Sequence, residues 1–535
     1  MTTVDGAPGL PPGWAYATIG ELIPPDGVFI DGDWVESKDQ DPNGDIRLVQ
    51  LADIGDGFFV DKSDRHLTKT KAYELACTFL KKGDVLVARM PDPLGRCCIF
   101  PLIGAERYVT VVDVCVIRLS DFSADPKYLM HLINSPEIRI AIADLQSGST
   151  RKRISRGNLA KIRLPIAPLN EQRQIVAKIE EVFSELDKGV EALKIAREQL
   201  NAYRQSVLKH AFAGKLTEAW RSKHPDKTLP PDAQVAALRA GRDLRLAEAF
   251  KDWQKAILNW QLRAKSGPKP TRPHINEVIG NPEIPDELLE HCTGHWAWLR
   301  LGDISEVTGG LTKNPKRSVL PVSMKYLRVA NVYADRLELD EVTEIGVTED
   351  EFECVKLKQG DLLVVEGNGS VDQIGRVAMW GDELDDVGHQ NHLIRVRLSE
   401  GMSPRFFVSF LMSPLGRDLI VRQASSTSGL HTLSISKVSA LPVPVPSQEE
   451  QEALLRALAA PMSEIEKLGE EIDTGLAKCA ALRQVILKGA FSGQLVRQNP
   501  EDEPAVTLLE RIRAERECAA TKKGRATKNG RKEAA

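Results

Sequence analysis

Across residues 169–216 the apolar side chains keep a helical beat. Ile175, Ile179, Val182, Leu186, Gly189, Leu193, Ala196, Leu200, Tyr203 and Val207 alternate spacings of four and three residues. A 3.5-residue period confines apolar side chains to one narrow seam, and such a seam needs another helix to cover it. At 1.5 Å per residue the helix is expected to run roughly 65 Å, longer than a small domain is wide. The cover is encoded in the same chain. A shift of 279 residues places Gln172 on Gln451, Arg204 on Arg483, Lys209 on Lys488, Phe212 on Phe491 and Gly214 on Gly493. The second seam then reads Leu454, Leu458, Ile465, Leu468, Ile472, Cys479, Leu482 and Ile486. Pro461 stands where the first copy has Val182. Proline removes a helical hydrogen bond, so the second helix is predicted to bend or restart there.

Ahead of the first long helix the pattern changes to short mixed elements. Residues 46–54 and the valine-rich 108–119 read as strands, and 80–89 as a turn leading into a buried strand. Residues 128–142 read as a helix and 147–154 as a polar, basic loop; a short helix at 156–161 and the extended Leu164-Pro165 follow. The same order returns in the second half. Trp14-Ala15 matches Trp296-Ala297, Gly95-Arg96 matches Gly375-Arg376, and Leu164-Pro165 matches Leu441-Pro442, with offsets drifting only between 277 and 282. A repeat this long is a duplicated domain plus helix, not a solenoid. The predicted divisions are a first globular domain at 1–168, its long helix at 169–216, and a helical extension and linker at 217–293. A second domain at 294–446, its long helix at 447–496, and a short helix with a disordered basic tail at 497–535 complete the chain. Within the linker, residues 232–262 read as a helix ended by Ser266-Gly267-Pro268-Lys269-Pro270.

Composition narrows the function. A chain of 535 residues, 42% hydrophobic and 27% charged, reads as a soluble protein of two or three domains. Its net charge of −4 means that any nucleic-acid binding must come from local patches. Residues 1–60 carry 11 acidic and 2 basic side chains, an unlikely surface to lay against phosphate, whereas 521–532 carries 6 basic and none acidic. Eight scattered cysteines suggest reduced thiols in the cytoplasm, and with neither a signal peptide nor an apolar run of about 18 residues no membrane role is expected. There is no P-loop, no methyltransferase tetrapeptide of the Asn/Asp-Pro-Pro-aromatic type, and no cofactor-binding glycine loop after a strand. Asp361 and Glu366 could be imagined as a nuclease metal pair, but a solvated strand end is the preferred reading. His291-Cys292-Thr293-Gly294-His295 and His389-Gln390-Asn391-His392 lack the paired spacing of a zinc site.

Two variable domains thus each end in a Leu-Pro…Pro…Glu-Gln segment and a long helix closing in Leu-Lys-x-Ala-Phe-x-Gly-x-Leu. The segments are Leu164-Pro165…Pro168-Leu169-Asn170-Glu171-Gln172 with 208–216, and Leu441-Pro442…Pro446…Glu450-Gln451 with 487–495. This pattern closely resembles the specificity subunit of type I restriction-modification systems, over nearly the whole chain. The resemblance implies an α/β (α+β) multidomain fold, with two target-recognition domains separated by two long antiparallel coiled-coil helices about a pseudo-two-fold axis. It implies a non-catalytic subunit that reads a bipartite, asymmetric site in double-stranded DNA with an unread spacer. Two modification (methyltransferase) subunits and restriction (translocase/nuclease) subunits are the implied partners; S-adenosylmethionine, ATP and Mg would be bound there, with no cofactor, metal or catalytic residue in this chain. Half-sites on one side of B-DNA lie about 34 Å or a multiple apart, within the helices' span.

The candidate DNA contacts lie chiefly in the loops before Leu164 and Leu441. In the first copy these are Ser149, Thr150, Arg151, Lys152 and Arg153, whose cations could hold phosphates or fork onto a guanine. The counterpart includes Ser428 and His431. Lys313, Lys316 and Arg317 form a second cluster, and Arg96 and Arg376 occupy the repeated Gly-Arg turn, where a structural role is as plausible as phosphate binding. Two alternatives stand beside this reading: a single-chain enzyme that both reads and modifies DNA, and a coiled-coil adaptor without DNA reading. Replacing Arg151, Lys152 and Arg153 together with Ala is expected to weaken DNA binding and make affinity fall less steeply with salt. An unchanged slope would remove the loop from the phosphate contacts.

Overall fold

A computed structural model describes residues 9–533 apart from 91–92, 103, 105, 121–122, 149–150, 229, 263–268, 271, 273–281, 290–292, 369, 371–372 and 428–429. The chain forms two compact units: residues 1–195 with 472–535, and residues 196–471. The long helices, Leu169–Phe212 and Gln448–Phe491, each contribute to both. Each unit therefore holds the opening half of one helix and the closing half of the other.

The first unit contains an antiparallel sheet in the order Val28–Asp31, Val114–Arg118, Val85–Ala88, Cys97–Ile99. A smaller sheet runs His66–Leu67, Ile46–Val49, Tyr108–Thr110, its last pair parallel. The second unit repeats both. Its larger sheet is Ser305–Gly309, Leu393–Leu398, Leu362–Val365, Val377–Met379; its smaller one is Thr343–Val347, Val322–Leu327, Val387–His389, again ending in a parallel pair. Val85–Ala88 and Leu362–Val365 are buried at every position, as a central strand covered on both faces requires. Each larger sheet is pinned by the same ion pair to a buried aspartate, Arg118 on Asp84 and Arg397 on Asp361, each arginine donating through two of its guanidinium nitrogens.

Several expected elements are subdivided. The helix expected over 128–142 is two, Pro126–Ile133 and Pro136–Asp144, because Pro136 forces extended backbone on Ser135 and then starts a new helix. The strand expected at 46–54 ends at Val49, and the Asp53 carboxylate closes a 3₁₀ turn by accepting from the Gln50 amide. The run 108–119 is two strands with a turn between them. Pro461 does not make the second long helix restart: it continues from Gln448 to Phe491, held on either side of the proline by buried Leu454, Leu458 and Ile465. The basic tail expected to be disordered continues a helix, Ala505–Glu533, that starts on buried Ala505, Leu508 and Ile512. Once a packed first turn exists, each further residue adds one hydrogen bond at little cost.

Along both helices the seam positions nearest the start are buried, and those further along are less so. Ile175, Ile179, Leu454, Leu458, Ile465 and Ile472 are buried, while Val182, Leu186, Leu193, Leu200 and Ile486 are half-buried. Tyr203, Leu468 and Leu482, however, are 51%, 41% and 49% exposed. The inward positions are their successors, Arg204, Gly469 and Arg483. An α-helix drifts about 20° per heptad against a 3.5 repeat, and over this length the apolar line slides off the contact. Gly475 lets Leu193 approach to 3.1 Å of where a Cβ would stand. The Arg483 guanidinium lies 4.5 Å from the Phe183 ring centre and pairs with Asp187. Within each unit the two helix segments run antiparallel.

The Glu-Gln start of each helix is its attachment. Gln172 is fully buried, donates to the Ala167 carbonyl at 2.8 Å and accepts from the Asp125 amide at 2.9 Å. Gln451 does the same with Pro446 (3.0 Å) and Ser403 (2.9 Å). Both helices end on a left-handed glycine, Gly214 (φ +73°) and Gly493 (φ +74°), where a side chain would be strained.

Gln172→Ala would leave a buried amide and a buried carbonyl unpaired and is expected to destabilise the first unit by about 2–4 kcal/mol, measurable by denaturant unfolding of the full chain. Burial also pushes His131 and His389 down to about 4. Both must stay neutral in the folded state, so their contribution is present above about 6.5 and is lost as pH falls towards 4. Thermal unfolding should show that loss, and His131→Phe should reduce it.

Candidate nucleic-acid interface

In each unit, segments leaving the two sheets converge at one end and are tied there by repeated backbone hydrogen bonds. In the first unit, the Asp33 amide donates to Thr110, the Arg89 amide to Asp113 and the Ile154 amide to Arg89. In the second, the Leu311 amide donates to His389, the Glu366 amide to His392 and the Leu433 amide to Glu366. The isolated pairings Asp33–Val111 and Leu311–Gln390 fix the register. The framework is thus the same, but the side chains placed on it differ.

The basic loop of the first unit is closed by mutual backbone bonds between Ser147 and Arg153, at 2.8 and 2.9 Å. Arg151, Lys152 and Arg153 are exposed on it, with Arg153 3.8 Å from Asp113. Ser149 and Thr150 lie outside the described residues. Behind the loop, Arg89 is buried and donates to the carbonyls of Ile154 and Val112, while its Nε faces Asp31 at 3.3 Å. At the equivalent positions of the second unit stand Glu366 and His392, 2.7 Å apart. The basic and acidic side chains at the Arg89 and Asp113 positions are therefore exchanged in the second unit. The counterpart loop of the second unit is a hairpin, Ser425–Thr427 with Leu430–Thr432, laid beside Gly367–Asn368. His431 falls in its second strand, and Ser428 lies outside the described residues.

The second cluster divides. Lys313 and Lys316 are exposed, whereas Arg317 forms a two-bond ion pair with Glu351 (3.0 and 3.1 Å) and donates to Thr312 and Gly346, which gives it a structural role. Arg96 and Arg376 sit in hairpins at the same ends of the larger sheets. Both are half-buried with Nε hidden and unpartnered, and Arg376 lies over the Tyr333 ring at 5.2 Å. Sequence reasoning missed Asp33, Trp34 and Asp113, which line one cleft, with Asp113 also approaching Arg153 of the first loop. Projecting Lys313 and Lys316 back through the repeat would have landed on this segment. Trp34 is 69% exposed, and burial pushes the Asp33 carboxyl up to about 6.

The imagined metal pair is not assembled: Asp361 is engaged by Arg397, and Glu366 by His392. Among the described residues no group of three metal-ligating side chains converges, and no helix is long and apolar enough to cross a membrane. His291 and Cys292 lie outside the described residues. Burial raises the thiols of Cys98 and Cys115 to about 12, which leaves them unreactive near neutral pH.

A duplicated mixed α/β fold with variable loops at matching ends, each unit fastened to a long helix by Glu-Gln, defines a class of paired recognition modules. Residues 11–194 match the family model described as type I restriction modification DNA specificity domain. The chain is 25% identical over 409 residues to the type I restriction enzyme EcoKI specificity subunit of Escherichia coli (strain K12), spanning 74% of this chain and 73% of that protein. With the EcoBI specificity subunit of Escherichia coli it shares 24% over 420 residues, 77% of this chain and 76% of that protein. A chain from a solved structure on complex assembly and conformational transition of the type I R-M system shares the fold, with TM-score 0.55 and 17% identity over 91% of this chain and 99% of that one. Over these spans the chain is similar to type I restriction-modification specificity subunits.

Proposed function

We propose that this chain is the DNA sequence-specificity subunit of a type I restriction-modification enzyme and acts in the cytoplasm. Each unit reads one part of a split, asymmetric target, and the chain itself carries out no chemistry. Methyl transfer, with S-adenosylmethionine, belongs to two modification subunits docked on it; ATP- and Mg-dependent translocation and cleavage belong to restriction subunits. The observation that carries this reading is one framework used twice with different recognition surfaces. Arg89 and Asp113 occupy the places of Glu366 and His392, and the basic loop 147–153 occupies the place of a hairpin. Two readers of different chemistry specify two different half-sites, and base edges rather than phosphates carry that information.

The test is selection of the full-length chain, with and without its co-expressed methyltransferase, against duplexes with a randomised central region. A bipartite motif with unequal halves is expected, and methyl transfer only when the partner is present. Methyl transfer by this chain alone, or enrichment of no split sequence, would overturn the proposal; the second result would favour an adaptor role.

A further inference from the structure

The repeat exposes a difference between the units that concerns how each meets DNA. Asp33 and Leu311 hold the same register position, beside Val111 and Gln390 respectively. The chain then runs on through Trp34, Val35 and Glu36 to a 3₁₀ turn at Ser37–Asp39 in the first unit. In the second it runs through Thr312, Lys313 and Asn314 to a 3₁₀ turn at Pro315–Val319. One segment is aromatic and mainly acidic, its single lysine, Lys38, paired with Glu36; its counterpart presents the exposed Lys313 and Lys316.

The first segment borders an open cleft of about 490 Å³, lined by Asp33, Trp34, Glu36, Gln50, Val111 and Asp113 among others. Trp34 leaves most of its indole in solvent and is held by its Nε1 on Glu36 at 3.1 Å, while Lys38 pairs with that carboxylate at 2.8 Å. Asp113 joins the cleft to the basic loop through Arg153. Phosphate is a poor occupant, because three carboxylates line the cleft. A base-pair edge suits it better. In the major groove, adenine offers an N6 amino donor beside the N7 acceptor, which a glutamine side chain matches with two hydrogen bonds. Its paired thymine adds a methyl group that needs apolar contact. Gln50 and the carboxylates supply the first, and Trp34 the second. We infer that this cleft reads an A·T pair in the half-site of the first unit, with Trp34 and Gln50 as specificity-determining residues, while Lys313 and Lys316 hold phosphates at the matching place in the second unit. The inference rests on the DNA-reading function proposed above.

The same randomised-duplex selection tests it with full-length variants. Trp34→Ala and Gln50→Ala are each expected to reduce the preference for an A·T pair at one position of one half-site by about tenfold. The other half-site and the salt dependence should be unchanged. Trp34→Phe, which keeps an apolar ring, should retain most of the preference, and thermal unfolding should show Trp34→Ala folded. Lys313→Ala with Lys316→Ala should keep the whole motif and lower the slope of log affinity against log salt by about 2. If the unaltered chain enriches a split motif but Trp34→Ala and Gln50→Ala leave every position intact, or change the salt slope instead, the inference fails while the function stands. If the unaltered chain enriches nothing, the function itself fails.

Discussion

The structure depends on a buried amide. Gln172 and Gln451 each bridge the carbonyl of the turn before a long helix and the backbone amide at the start of a domain helix. A primary amide is suited to this place because it carries a donor and an acceptor on one rigid group and no charge to desolvate. The bridge makes each long helix a continuation of its globular unit instead of a tethered rod. Its neighbour is less constrained. Glu171 takes the Trp14 indole at 3.0 Å, whereas Glu450 takes Thr217 and Arg221. The two copies thus keep the glutamine's bonds and vary the glutamate's.

The recognition ends follow a similar division of labour. Backbone hydrogen bonds hold the converging segments in the same register in both units, and side chains make none of those bonds. Glu366 in the place of Arg89, and a hairpin in the place of the basic loop, therefore sit on the same backbone framework. The Asp84–Arg118 and Asp361–Arg397 pairs, each on a buried carboxylate, anchor the sheets away from the positions that vary. A duplicated scaffold of this kind can change what it reads without changing how it folds.

What the sequence showed and what it hid have particular causes. The long helices, the repeat and the glycine stops were legible because period and spacing are local, one-dimensional signals. The split at Asn134-Ser135-Pro136 was not read, although proline after serine is a boundary signal, because the continuous apolar pattern masked it. Leu468 and Leu482 were misplaced because a straight helix does not keep a 3.5-residue period over 44 residues. Arg317 looked like Lys313 and Lys316 until Glu351, 34 residues away, was found to hold it. Trp34 carried no signal in its own copy, where an exposed tryptophan reads like any aromatic. Only its register partner, Leu311-Thr312-Lys313, gives it meaning.

By itself the sequence determined that the chain is a duplicated domain with two seam-bearing helices, because hydrophobic periodicity and repeated Glu-Gln and Gly landmarks need no third dimension. It also determined which motifs for ATP, methyl-donor and metal chemistry are missing. Tertiary structure alone decided which charges are available and which are engaged. Whether an arginine meets solvent or a carboxylate depends on contacts between segments tens of residues apart, and no spacing rule encodes those. It also decided that the aromatic-acidic segment of one unit stands where the lysine segment of the other does, since that equivalence is fixed by pairing to Val111 and Gln390 and not by residue type.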